Sequence, residues 1–274
     1  MKKIKNIAWA TDTHFELAND KQFKKFIESS EECDALLITG DIAQATSWQH
    51  YIYKVAKKLA PKPVFFILGN HDIYYSDLFT EHDKLLSINI DNLHPLTVMP
   101  PYIIGDNIAI IGHQNWWDGG YSEQYSNLID RTFMFQDYYL IENLKDLITP
   151  KERFNRLKEM SEAATSLILE KLKTAFDKVD NVILAVHVPP FKENCTHFGL
   201  AMTSNFLSHF SSKILGDALF FLMRNIPHKK LLVLSGHTHE ETTYSPLPNL
   251  VSKTNKANLL KPRAHKILKL KDLF

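Results

Sequence analysis

The chain has 274 residues, 45% of them apolar and 23% charged, which suits one large domain or two small ones and excludes a disordered chain. Its 32 Lys and Arg against 31 Asp and Glu leave a net charge of +1, a balance that demands neither nucleic acid nor an anionic membrane and leaves room for a local basic patch. Cys33 and Cys195 are too few and too far apart for a disulfide framework or a thiolate zinc site. No apolar run approaches the ~18 residues of a membrane span. The run Ile7 to Ala10 stops at Thr11-Asp12, too short for a secretory leader. A cytoplasmic protein is the expectation.

In chain order, "KNIAWA" (Lys5 to Ala10) reads as a strand and is followed by Asp12-x-His14. Lys21 to Ser30 has helical periodicity. "ALLIT" (Ala35 to Thr39) is a strand that ends at Gly40-Asp41. A helix over Ser47 to Leu59 leads to "PVFFIL" (Pro63 to Leu68), a strand followed by Gly69-Asn70-His71-Asp72. A helix over Ser76 to Ile88 and a strand "NIAIIG" (Asn107 to Gly112) come next. Pro150 to Val179 is predicted as one long helix, because Phe154, Leu157, Met160, Ala164, Leu167, Ile168, Leu172, Ala175 and Phe176 recur at helical spacing. "NVILAVH" (Asn181 to His187) ends on a histidine. A helix over Ser211 to Ile226 precedes "KLLVLSG" (Lys230 to Gly236), which opens into Gly236-His237-Thr238-His239. "AHKILKL" (Ala264 to Leu270) alternates and suits a final strand near a sheet edge.

The strands are short, rich in Ile, Leu and Val, and apolar on both faces, as in sheets covered by other layers. The alternation with amphipathic helices predicts an α/β protein. Without repeats or a linker, residues 1–274 read as a single domain. The aromatic-rich segment at about 114–146 follows no clean period and reads as an insertion over one end of the sheet.

Five strand ends therefore carry Asp, Asn or His, and three also carry a glycine that lets the backbone turn tightly. Strand ends far apart in sequence converge on one edge of a sheet. Carboxylate, amide oxygen and imidazole suit Mn, Fe or Zn. Seven donors exceed the needs of one ion. They fit two ions about 3.5–4 Å apart that share a carboxylate, an arrangement suited to displacement at phosphorus.

With these motifs in this order, the sequence resembles the calcineurin-like metallophosphoesterase superfamily from Asp12 to His239. The resemblance implies two mixed sheets packed face to face and flanked by helices. It implies that Asp12, His14 and His239 bind one ion and Asn70, His187 and His237 the other, with Asp41 bridging. His71 would bind neither ion but protonate the leaving oxygen, with Asp72 orienting its ring. The two divalent or mixed-valence ions would make hydroxide available near neutral pH. The phosphoprotein phosphatase branch carries an arginine after its Gly-Asp motif and ends the third motif in Glu. Here Ile42-Ala43-Gln44 and Asp72 stand instead, which directs the expectation to phosphodiester hydrolysis. Phosphomonoester or nucleotide hydrolysis, a nuclease and a non-catalytic scaffold are the rivals. The partner is a phosphate-ester substrate; nucleic acid and the oligomeric state stay open.

Further residues need weighing. His113 also ends an apolar run, and a structural role is expected. Arg131 has the fork to hold a phosphate, though a surface position is expected. Trp116, Trp117, Tyr121 and Tyr125 either stack on a base or form the insertion's own core. His82-Asp83 resembles a hydrolase dyad but lies mid-helix, on an expected solvated face. Gln44, His197 and His209 receive no role. Lys57-Lys58, Lys229-Lys230 and Lys261 to Lys269 are the basic runs that a nuclease would need beside its site.

Overall fold

The computed structural model describes residues 3–121, 135–258, 261–262 and 266–274. Strand β1 (Asn6–Ala10) leads through helix α1 (Asp20–Glu31) to β2 (Ala35–Thr39), and through α2 (Trp48–Leu59) to β3 (Val64–Ile67). Helix α3 (Leu78–Leu86) leads to β4 (Leu93–Pro95). These strands, with the last strand of the chain, form a five-stranded mixed sheet.

A second, six-stranded sheet begins with β5 (Tyr102–Gly105) and β6 (Ile108–His113). The long α4 (Pro150–Phe176) connects β6 to the parallel β7 (Asn181–Val186). A two-residue hairpin of β8 (Thr196–His197) and β9 (Leu200–Ala201) precedes α5 (Lys213–Asn225), β10 (Lys230–Ser235), β11 (Thr242–Leu247) and β12 (Leu250–Thr254). β13 (Lys266–Lys269) returns to the first sheet beside β1. The strand orders are β13-β1-β2-β3-β4 and β11-β12-β10-β7-β6-β5.

Strand alternation explains the continuous apolar runs. In β1, Ile7 and Trp9 point into the space between the sheets, while Ala8 and Ala10 face α1 and α2. Leu37, Phe65 and Ile67 join them from the first sheet and meet Ile110, Ile183, Ala185, Leu232 and Leu234 of the second. The other faces of β7 and β10 (Val182, Leu184, Val233) pack on Ile168, Leu172 and Ala175 of α4 and Leu215 and Leu219 of α5. Every central strand is thus covered on both faces, as its composition predicted. The helix ends are set by capping residues: Asn19 with Gln22 opens α1, and Thr149 with Glu152, followed by Pro150, opens α4.

The predicted strands and long helices are all found, within a few residues at their ends. The elements missing from the sequence reading have weak patterns for identifiable reasons. β4 is three residues long and includes a histidine and a proline. β11 lies at a sheet edge, so it is half exposed and tolerates Pro246. Among the described residues no helix is long and apolar enough to cross a membrane. Trp116 and Trp117 are buried with Tyr138, Leu157 and Val188 in a fourth apolar cluster beside the sheets, so they are core residues. Arg131 and Tyr125 lie outside the described residues.

Truncation between the sheets tests this layering. Ile183→Ala removes a fully buried side chain and should cost about 2–5 kcal/mol. Urea unfolding should show a lower midpoint with an unchanged m value.

Candidate metal centre

Parallel strands bring the carboxyl ends of β1, β2, β3, β7 and β10 to one edge of the molecule. There the loops are tied to each other. Asp12 N–H donates to Gly40 O (3.0 Å), His14 N–H to Asp41 O (3.1 Å) and Gly236 N–H to His187 O (3.0 Å). His237 N–H donates to the Asp12 carboxylate, at 3.2 and 3.1 Å from its two oxygens. The backbone there is strained. Asp12, His14, Asp41, His237 and His239 all have positive φ, between 38° and 68°, a region that side chains other than glycine seldom occupy and that clusters at functional sites.

The glycines explain themselves by space more than by turning. Gly40 alone of the three has the left-handed φ expected of a tight turn, +92°. A Cβ there would stand 2.4 Å from His187 Nδ1. A Cβ on Gly69 would stand 2.2 Å from Asp41 Oδ1, and one on Gly236 would stand 1.9 Å from Thr11 Oγ1 and 2.4 Å from Asp12 Oδ2. Each glycine lets a carboxylate or imidazole lie directly on the backbone of a neighbouring strand end.

The side chains converge. His239 Nε2 is 3.2 Å from Asp12 Oδ1, and His187 Nε2 is 3.3 Å from Asp41 Oδ2 and 3.1 Å from Asn70 Oδ1. His14 Nε2 lies 3.7 Å from Asp41 Oδ2 and is buried without a hydrogen-bond partner among the described residues. Among the described residues, three sets of donors each lie within 4.8 Å of one another: Asp12, His14 and His239; His14, Asp41 and His71; and Asp12, Asp41 and His187. His237 is in none of them, but its ring centroid is 5.1 Å from that of His187. It stacks on Trp117 (5.5 Å, 8° between planes) and lies 3.0 Å through Nε2 from His209 O. That bond leaves Nδ1 as its free nitrogen. His187 is 2.9 Å through Nδ1 from Thr39 O, so its Nε2 faces the carboxylates. Fixing one ring nitrogen on a carbonyl is how proteins aim the other at a metal.

The electrostatics fit tightly compensated charge. Burial opposes charge on His14, but its bond to Glu16 and the charges of Asp41 and Asp12 outweigh this and hold its pKa at about 9. Burial likewise opposes charge on His187, and Asp41 and Asp12 hold it at about 10. Burial would raise Asp12, yet His239 and His187 bring it down to about 2. Asp41 is held well below the carboxylate range by His187, His71 and His14 against the same burial. His237 goes the other way: burial and the charge of His187 lower it to about 4. A neutral imidazole, as a metal needs, is thus its resting form.

One expectation fails. Asp72 does not orient His71. Its carboxylate is fully buried and accepts from the backbone N–H of Ile42 (2.9 Å), Ala43 (2.9 Å) and Gly69 (2.8 Å). It pins the second and third strand-end loops together; burial and Asp41 push its pKa up to about 8 against those three bonds. The group beside the half-buried His71 ring is Tyr74, whose hydroxyl is 3.3 Å from Nε2 and donates to Asp137 Oδ1 at 3.2 Å. Asp137 also accepts from Asn70 Nδ2 at 2.7 Å. The sequence reading missed both residues. Tyr74 follows the third motif closely and was legible by position; Asp137 lies in the aromatic segment and had no local pattern.

The remaining candidates fall away from the cluster. His113 is buried, accepts from Asn115 N–H at 3.1 Å, and is lowered to about 3 by burial and Lys171. His82, Asp83 and His197 are exposed. His209 lies behind His237 and packs on Phe135. Gln44 O accepts from the first amides of α2. Lys57 and Lys58 end α2, and Lys230 begins β10, so these lysines sit at the ends of elements remote from the cluster; Lys229 caps Phe176 O and Val179 O.

Two facing mixed sheets, flanked by helices and carrying clustered Asp and His donors at their strand ends, define a metal-dependent hydrolase of phosphate esters. The chain belongs to the calcineurin-like phosphoesterase family, whose model matches residues 5–241. Among solved structures it is similar to the phosphopantetheinyl hydrolase of Mycobacterium tuberculosis (TM-score 0.67, 13% identity, 94% of this chain and 91% of that one). It is also similar to a dimetal phosphatase from Danio rerio (0.53, 13%, 97% and 98%) and to the protein TT1561 of Thermus thermophilus (0.54, 13%, 98% and 95%). At these identities the likeness is one of fold. No curated protein matches the chain.

Two outcomes follow from this geometry. Gly236→Ala puts a methyl group onto Thr11 and Asp12, so the variant should lose metal, read by elemental analysis, beyond the loss in any surface Gly→Ala control. Metal removal by a chelator should also change the pH dependence of stability. His14 and His187 have folded-state pKa values of about 9 and about 10, above the ordinary 6.5. Their contribution is fully present below about pH 6.5 and lost as pH rises through those values. Stripped protein should therefore resist urea better at about pH 6 than at about pH 10, and added Mn2+ should reverse the order, since ligands must shed their protons to bind.

Proposed function

We propose that the protein hydrolyses a phosphodiester with two metal ions, one held by Asp12, His14 and His239, the other by Asn70, His187 and His237, with Asp41 between them. The observation that carries this reading is the buried His14 Nε2, which lies among carboxylates without a hydrogen-bond partner among the described residues. Such an atom is costly unless an ion completes it. The donors are oxygen and imidazole, without thiolate, which fits Mn, Fe or Zn. When bound, ions of this kind supply Lewis acidity: they stabilise charge building on the phosphoryl oxygens and make a water acidic enough to serve as nucleophile near neutral pH.

The chain's own groups do the rest. Asp41, held well below the carboxylate range by His187, His71 and His14, stays ionised. His187 and His237 are aimed by their carbonyl partners. His71 stands half-exposed beside His14, with ring centroids 4.8 Å apart, and carries the proton for the leaving oxygen. Phosphodiesters carry one negative charge and monoesters close to two. After Gly40-Asp41 the chain has Ile42-Ala43-Gln44, with no arginine to pair the second charge of a monoester, and this favours the singly charged ester. In this reading residues 1–274 form one cytoplasmic domain, and the described parts of the segment at about 114–146, residues 114–121 and 135–146, pack beside the strand ends through Trp116, Trp117, Tyr138 and Ile141.

The test is His71→Ala on two diesters at matched metal occupancy. A nitrophenolate leaves without help and an alkoxide does not. The variant should keep both ions, lose little kcat/KM on the aryl diester, and lose up to ~10²–10⁴ on the alkyl one. Equal losses would remove His71 as the acid, and a wild type faster on monoesters than on diesters would overturn the substrate class.

A further inference from the structure

Asp137 lies outside the motifs that carry the metal donors, yet it is buried and one of its oxygens, Oδ1, accepts from two residues of the third motif region. Asn70 Nδ2 donates to it at 2.7 Å and Tyr74 Oη at 3.2 Å. The first bond decides which way the Asn70 amide points. With its nitrogen on Asp137, the amide oxygen is the atom 3.1 Å from His187 Nε2 and beside Asp41. The two ends of an amide are nearly isosteric, so only the hydrogen-bond partners select its orientation. Without an acceptor at 137, rotation of the amide would turn its NH2 group toward the donors and present hydrogen atoms where a cation needs a lone pair.

The second bond acts on His71. The hydroxyl of Tyr74 has one hydrogen, and it is spent on Asp137. Toward His71 Nε2, 3.3 Å away, the same oxygen therefore offers a lone pair. It favours a ring with hydrogen on Nε2, and stacks against that ring with centroids 4.4 Å apart.

From these contacts we infer that Asp137 is a positioning residue for both halves of the site: it turns the Asn70 oxygen toward the metal position shared with His187, and through Tyr74 it holds the His71 ring. The inference rests on the proposed metal reading of Asn70 and His187. It also assigns to Asp137 and Tyr74 the role that the family resemblance had implied for Asp72.

Mn2+ titration followed by the electron paramagnetic resonance of free Mn2+ separates these ideas. Wild type should take two ions. Asp137→Leu keeps the bulk and removes the acceptor; one of its two ions should bind about 10–100-fold more weakly. Asp137→Asn retains a carbonyl oxygen able to accept from both partners and should bind both ions within about threefold of wild type. Tyr74→Phe should also hold two ions with wild-type affinity, but with an alkyl diester its kcat should fall about tenfold while KM is unchanged. Should the leucine variant fail to fold by circular dichroism, Asp137→Ala takes its place. Wild-type affinity in the variant without the acceptor, or equal loss in Asp137→Asn, overturns the Asn70 role. An unchanged kcat in Tyr74→Phe overturns the His71 role. A wild type that binds no Mn2+ overturns the metal reading itself, a result distinct from either.

Discussion

Two carboxylates, Asp12 and Asp41, are buried side by side at the joined ends of two sheets. Burying one uncompensated charge is expensive and burying two of like sign is worse. The structure answers with four imidazoles, His14, His71, His187 and His239, and with backbone amides. Much else in the molecule serves this arrangement. The parallel strands deliver the residues, the left-handed backbone at five of them turns the side chains inward, and Asp72 ties the loops of β2 and β3 together. A site that protons alone can balance is also one in which metal ions compete with protons for the same lone pairs.

Close packing, as much as charge, sets the residue choices. Gly69 and Gly236 have no need of glycine's freedom to turn. They are glycine because side chains of another strand end occupy the place of a Cβ: the Asp41 carboxylate at Gly69, and the Thr11 hydroxyl and Asp12 carboxylate at Gly236. Trp117 lies flat on His237, and Phe210 approaches that ring from another direction, with centroids 5.0 Å apart. A histidine held between aromatic faces has few rotamers left, which would reduce the entropy lost on binding an ion.

Much of this was legible in the sequence. Covered strands announce themselves as unbroken apolar runs, and donors that follow five such runs are hard to explain as turns. Asp12, His14, Asp41, Asn70, His187 and His239 do come together, and His237 lies beside them. What was hidden obeys a different logic. Asp72 stands next to His71 in sequence, and adjacency proved a poor guide to contact: a 3-10 turn from His71 to Ile73 sends the neighbouring side chains in different directions. Edge strands β4, β5 and β11 have little apolar pattern because one face or one side is wet. Asp137 acts at a separation of 67 residues from Asn70, and no local periodicity encodes such a pairing. Trp116 and Trp117 were ambiguous because a buried tryptophan and a base-stacking one look alike in sequence.

The bond from His237 N–H to Asp12 spans 225 residues. Contacts at such separation are slow to form, because the loop-closure cost comes before any gain. During synthesis, His237 and His239 emerge long after the loops of β1, β2 and β3. A nascent chain that has reached only the end of β7, at Val186, carries two of the three donors of the first proposed set and one of the three of the second. If ions bind as proposed, their full binding free energy would join the fold only after the first and last motifs have met, at completion of the second sheet.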